Sequence, residues 1–247
     1  MPRTNVILPT DDGLCPATVH SPGSSGSWPA VILYPDAGGV RETFLTMAGR
    51  LAGLGYTVLL PNVYYRMGAY PSFDLAAVFD DPAERQRLMS LVQSLTTDMI
   101  VSDAGAFLEF LAARPEVSGT RVGTTGYCMG GRISLIVAGH YPDRIAAAAS
   151  FHGGRLAAVD DPDSPALLAD RIRATIYVAA AANDPSFPPE QHHRLEQALT
   201  TAGVTHTIQA YPAAHGFAVP DNPTYDQTAD QQHWTALTNL YATALPS

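Results

Sequence analysis

Five short runs, Ala30–Tyr34, Tyr56–Leu60, Arg121–Thr125, Ala146–Phe151 and Ala174–Ala179, constrain this chain most, because they read as apolar on both faces and alternate mostly with segments of helical period. Strands buried on both faces belong in a parallel sheet covered by helices. The helical segments are Phe44–Gly53, Pro82–Leu95, Thr97–Ala113, Met129–Gly139, Pro189–Ala202 and Thr224–Ala244, with Gly or Pro near most of their ends. Ahead of them, Val6–Leu8 and Cys15–His20 read as an antiparallel hairpin turned at Thr10-Asp11-Asp12-Gly13, followed by a surface loop, Ser21–Ser27. The expected architecture is a mostly parallel, doubly wound α/β sheet with helices on both faces. Right-handed crossovers then gather the strand-to-helix loops at one sheet edge, where ligands bind in such sheets.

Length and composition fit one domain spanning residues 1–247, with 46% hydrophobic and only 15% charged residues to build a sizeable core. A net charge of −9 opposes binding to nucleic acid or to anionic membrane surfaces. The N-terminal residues contain no apolar stretch long enough for a signal peptide or a membrane span, so a cytoplasmic location is the default expectation. Cys15 and Cys128 lack metal or disulfide spacing and read as free thiols; no metal and no cofactor is expected. The alanine-rich patches Ala146–Ala149 and Ala179–Ala182 read as tight packing.

Gly126-Tyr127-Cys128-Met129-Gly130 follows a strand and opens a helix, the context of the G-x-S-x-G nucleophile elbow of α/β-hydrolases with a thiol in place of the hydroxyl. Glycine on either side is required because strand and helix backbones approach too closely for a Cβ. A sulfur at a helix N-terminus faces unpaired N–H groups, which lowers a thiol pKa. In this fold the order along the chain is nucleophile, acid, base. Asp184, just past Thr175–Ala179, and His215, after the strand Thr207–Tyr211, follow in that order, although an aspartate before proline also serves as an ordinary turn residue. Of the other histidines, His192, His193 and His206 read as surface positions, and His233 lies in the last helix. The expected chemistry is thiolate attack on a carbonyl, with His215 sharing the proton, Asp184 fixing the imidazole, and the Met129 and Ala37 backbone N–H groups holding the oxyanion.

With these motifs placed, the chain resembles the dienelactone hydrolase family over nearly its whole length. The matching stretches are Val31–Gly39 (VILYPDAGG), Pro61–Arg66 (PNVYYR), Glu84–Arg87, Val122–Gly131 (VGTTGYCMGG), Asn183–Pro189 (NDPSFPP) and Ala214–Phe217 (AHGF). The resemblance implies a Cys128, Asp184, His215 triad with Ala37 and Met129 as oxyanion donors, acting on a small ester or lactone such as a dienelactone. It also singles out Asp36, where some members carry a glutamate that modulates the thiol; a plain polar loop residue is the alternative. Arg85 looks like one of the arginines with which members grip a substrate carboxylate, but Val219 stands where the second would be, while Arg66 and Arg87 default to surface charges. Ser150–Arg173 is short for a lid, so an open cleft is expected, lined by Tyr64, Tyr127 and Phe217 unless these pack in the core. Two alternatives stay open: a thioesterase or other acyl hydrolase with the same triad, and a non-catalytic α/β-hydrolase that binds a small molecule. The chain is expected to be a monomer or a small homo-oligomer.

Overall fold

The computed structural model describes residues 1–245. Strands β1 (Arg3–Thr10) and β2 (Gly13–His20) form the antiparallel hairpin, turned at Asp11-Asp12. Then follow β3 (Trp28–Tyr34), α1 (Glu42–Gly53), β4 (Thr57–Pro61), α2 (Pro82–Ser94), α3 (Thr97–Ala112), β5 (Val117–Tyr127) and α4 (Met129–His140). The chain continues through β6 (Ile145–Phe151), β7 (Thr175–Ala181), α5 (Pro189–Thr201), β8 (His206–Tyr211) and α6 (Gln227–Ala244). Among the described residues the eight strands share one sheet in the order β1-β2-β4-β3-β5-β6-β7-β8. β2 meets β4 antiparallel, and every pairing from β4 to β8 is parallel. This is the mostly parallel, doubly wound α/β sheet expected from the alternation of strands and helices. No described helix is long and apolar enough to cross a membrane.

The sheet divides the core in two because successive strand side chains point to opposite faces. In β3, Ala30, Ile32 and Tyr34 join Phe107, Leu111 and Ile133 of α3 and α4, whereas Val31 and Leu33 join Phe44 and Leu51 of α1 with Trp234 and Leu237 of α6. The four alanines Ala146–Ala149 of β6 are all buried, as tight packing requires. Between β6 and β7 the chain makes only a short 3-10 turn, Pro165–Arg171, so no lid domain intervenes.

Two helix starts follow their side-chain caps. Asp81 accepts from the Ala83 N–H at 2.8 Å and Pro82 occupies the first turn of α2, while α6 begins later than its apolar period suggests because Asp226 accepts from the Ala229 N–H at 2.8 Å. Strand β5 reaches back to Val117, past the apolar run, through polar residues paired with Trp28 and Pro29 across an irregular register.

Arg66 is not the surface charge its sequence context suggests. Its guanidinium, 14% exposed, forks onto Asp103 of α3 at 2.7 and 2.8 Å and also donates to Asp12 in the hairpin turn at 2.8 Å. Asp103 also accepts from the Tyr65 hydroxyl at 2.9 Å, so one buried carboxylate fastens the hairpin to the body of the sheet. Replacing Arg66 with Met leaves that carboxylate buried and unpaired, at a cost of about 3 kcal/mol. The Arg66→Met urea midpoint should fall accordingly, and Arg66→Met with Asp103→Leu should recover most of the loss; a single variant as stable as the parent would contradict this account.

Candidate active site

Cys128 is the one residue between β5 and α4, and it adopts φ 55° and ψ −116°, a strained left-handed conformation rarely taken by residues other than glycine. The bend is pinned by Cys128 N–H donating to Phe151 C=O at 3.0 Å and by Gly131 N–H donating to Cys128 C=O at 3.0 Å. A Cβ on Gly126 would overlap the Gly130 carbonyl, and one on Gly130 would overlap the Tyr34 and Pro35 carbonyls. Only glycine permits this approach, which brings the loop after β3 against the start of α4. The Cys128 side chain makes no capping bond to the helix, which leaves the half-buried sulfur available.

Asp184 and His215 come from the loops after β7 and β8, which Ala182 N–H ties together by donating to Tyr211 C=O at 2.9 Å. His215 Nδ1 donates to Asp184 Oδ2 at 2.6 Å. A carboxylate can only accept, so Nδ1 carries the proton and Nε2 remains for the thiol. Burial would raise the Asp184 carboxyl, but His215, together with the Ser186 hydroxyl and amide at 2.7 and 2.9 Å, outweighs it and holds the group below the usual carboxylate range. Burial likewise disfavours the His215 imidazolium, yet the charge and hydrogen bonding of Cys128 and Asp184 overcome it and push the imidazole up to about 10.

The Ala37 and Met129 N–H groups have no hydrogen-bond partner among the described residues. Both belong to segments brought together at the bend. Tyr64, expected to line the cleft, is 1% exposed and braces this spot instead: its hydroxyl donates to Ala37 C=O at 3.0 Å and lies 3.2 Å from Met129 Sδ. Tyr127 and Phe217 are also wholly buried rather than cleft-lining. Tyr127 bonds His233 Nε2 at 2.8 Å on the α6 side, and Phe217 packs on Tyr211 and His152. Asp36 is buried, with both oxygens taken by Arg41 at 2.7 and 2.9 Å, and makes no hydrogen bond to Cys128 among the described residues. Arg85 stands exposed on α2, Arg87 pairs with Glu84 and lies over the Phe73 ring, and Val219 is in the core. His193 is exposed, but His192 lies half-buried on Phe187, and His206, at the start of β8, is 11% exposed beside Glu196 of α5.

Sequence reading missed three residues here. His152, after β6, is 1% exposed at φ 40°, with its ring 5.1 Å from that of His215 and neither ring nitrogen partnered. Burial first, then the charges of His215 and His233, lowers its pKa well below the ordinary histidine value, so it stays neutral and adds no positive charge beside the His215 imidazolium. The glycine pair Gly153-Gly154 after a strand end was the available signal. Ser186, which orients Asp184, and Arg41, which holds Asp36, carried none. A cavity of about 470 Å³ borders the acid and base loops, whereas one of about 770 Å³ between β7, β8 and α6 is lined by none of the candidate residues. No three described His, Cys, Asp or Glu side chains are grouped to hold a metal ion.

A model of the dienelactone hydrolase family matches residues 15–245. A protein from Methylorubrum extorquens whose name assigns it as a carboxymethylenebutenolidase is 30% identical over 241 residues, covering 96% of this chain and 79% of its own. A dienelactone hydrolase structure from Klebsiella pneumoniae superposes with a TM-score of 0.83 at 26% identity, covering 98% of each chain. A dienelactone hydrolase-like promiscuous phosphotriesterase from metagenomic libraries gives a TM-score of 0.77 at 27% identity, covering 99% of this chain and 100% of its own.

The raised His215 pKa fixes a sign. Folding gains from the imidazolium most fully below the unfolded histidine value of about 6.5, and this gain is lost as pH rises through about 10. The His215 ring proton should therefore titrate near pH 10 by NMR, and in Cys128→Ala its midpoint should move to lower pH. Titration of the parent protein near 6.5 would refute the pairing.

Proposed function

This chain belongs to the dienelactone hydrolase family and is a hydrolase; from that premise we propose that it cleaves a small carboxylic ester or lactone through an acyl-enzyme on Cys128. The observation that carries this reading is the charged His215–Asp184 pair, bonded at 2.6 Å and facing a thiol at the strained head of α4. The proton shared with the thiol already sits on His215 Nε2 in the charged pair, and the sulfur attacks the carbonyl carbon. Charge then develops on the carbonyl oxygen, and the Ala37 and Met129 N–H groups, which no described residue engages, donate to it. Collapse of the tetrahedral intermediate expels the alkoxide, which takes the proton from His215 and leaves a thioester; in a lactone the leaving oxygen stays tethered. Water, deprotonated by the same imidazole, attacks the thioester and restores the thiol. Asp184 keeps the imidazole in the working tautomer and stabilises its charged form throughout.

Charge around the site favours an uncharged substrate. Arg41 is engaged by Asp36 and Asp221, Val219 is buried in the core, and the remaining candidate cation, Arg85, stands in solvent on α2. A fixed two-point grip on a substrate carboxylate therefore has no donors prepared for it. The charges around the site favour a neutral acyl group, and the proposed partner is a small molecule.

Cys128→Ala should lower kcat/KM for p-nitrophenyl acetate by about 10³-fold or more, and Asp184→Asn by about 10²-fold to 10⁴-fold, in protein that circular dichroism shows to be folded. Retention of the parent rate by a folded Cys128→Ala protein would remove the nucleophile and the proposal with it.

A further inference from the structure

We propose that Arg41 is a positioning residue for the oxyanion hole, holding the loop that carries Ala37 in register with the loop that carries His215. The proposal rests on the reading of Cys128 as nucleophile and of Ala37 as an oxyanion donor. Arg41 stands in extended backbone just before α1, its guanidinium is 10% exposed and its Cζ lies 4.8 Å over the Phe44 ring. All five of its N–H donors are used. Nε and Nη2 donate to Asp221 Oδ2 and Oδ1 at 2.7 and 2.8 Å; Nη1 and Nη2 donate to Asp36 Oδ1 and Oδ2 at 2.7 and 2.9 Å; Nη1 also donates to Gly39 C=O at 3.2 Å.

The two carboxylates lie on the two loops that must meet at the reacting carbonyl. On the first, Asp36 Oδ1 also accepts the Gly38 N–H at 2.9 Å, and the Gly39 N–H donates to Asp36 C=O at 3.0 Å. Those bonds consume the amides after Ala37 and leave the Ala37 N–H free, in a turn whose shape depends on where the Asp36 side chain is held. On the second, Asp221 is fixed further by the Thr43 hydroxyl at 2.6 Å, and turn bonds from Val219 N–H to Gly216 C=O at 3.0 Å and from Asn222 N–H to Val219 C=O at 2.9 Å lead back to His215. One planar cation thus sets the distance between oxyanion donor and base loop. A lysine cannot do this, because a point charge has no second edge to present.

The test compares two reactions of the same sulfur. Hydrolysis of p-nitrophenyl acetate needs the oxyanion hole, whereas alkylation of Cys128 by iodoacetamide occurs at a saturated carbon and creates no oxyanion. Arg41→Gln alone strands a buried carboxylate, so it is made together with Asp36→Asn; Asp221→Ala, at a half-exposed site, cuts only the second anchor. In each variant kcat should fall about 10-fold to 100-fold, with KM and the alkylation rate within about threefold of the parent. Arg41→Lys should fall between parent and Gln. Folded variants with unchanged kcat would overturn the proposal, as would alkylation and turnover falling in parallel, which marks a role in the thiol or in the fold at large. Parent protein that still hydrolyses the ester after complete alkylation of Cys128 would instead overturn the underlying reading of the nucleophile.

Discussion

At Cys128 a buried parallel strand turns into a buried helix within a single residue, and the rest of the site is arranged around the consequences of that bend. The left-handed backbone there costs about 1–3 kcal/mol, and it persists because neighbours over-determine it. Cys128 N–H is taken by Phe151 of the adjacent strand, α4 is buried along most of its length, and Gly126 and Gly130 leave no Cβ in the way. The same approach that forbids side chains at those glycines brings the β3 loop close enough for Ala37 to sit beside Met129. The sulfur, the N–H pair and the helix N-terminus therefore converge from one steric constraint.

Electrostatics completes what the bend begins. Asp184 is nearly inaccessible, yet it stays charged because Ser186 and His215 supply three donors to it. His215, so anchored, carries a proton well above the usual histidine range while facing the thiol. A neutral, unpartnered His152 under its ring adds no opposing charge. Buried charges with these partners are tolerated where isolated ones would be neutralised.

The fold was legible because two-sided burial of strands, helical period and cap residues all act locally, and the order of Cys128, Asp184 and His215 along the chain follows from where parallel strands end. What failed to show was which way a side chain points. Tyr127 neighbours the candidate nucleophile in sequence, but strand alternation sends it to the α6 side, where it bonds His233. Phe217 follows the His215 loop back into the same core, and Tyr64 turns under the β3 loop to hold Ala37 rather than line the cleft. Arg41, Asp221 and Ser186 were invisible for a different reason: each acts through a partner far away along the chain or through a short loop contact, and neither leaves a periodic or motif signal.

The central claim is that bond cleavage passes through sulfur 128. Acid-quenched samples taken during steady-state turnover of an acetyl ester, resolved by intact mass and peptide mapping, test it directly. A hydroxylamine-sensitive gain of one acetyl group, confined to the peptide that carries Cys128, is the expected result. Continued turnover with no acylated protein at any time point, or an acetyl group stable to hydroxylamine on another residue, would contradict it.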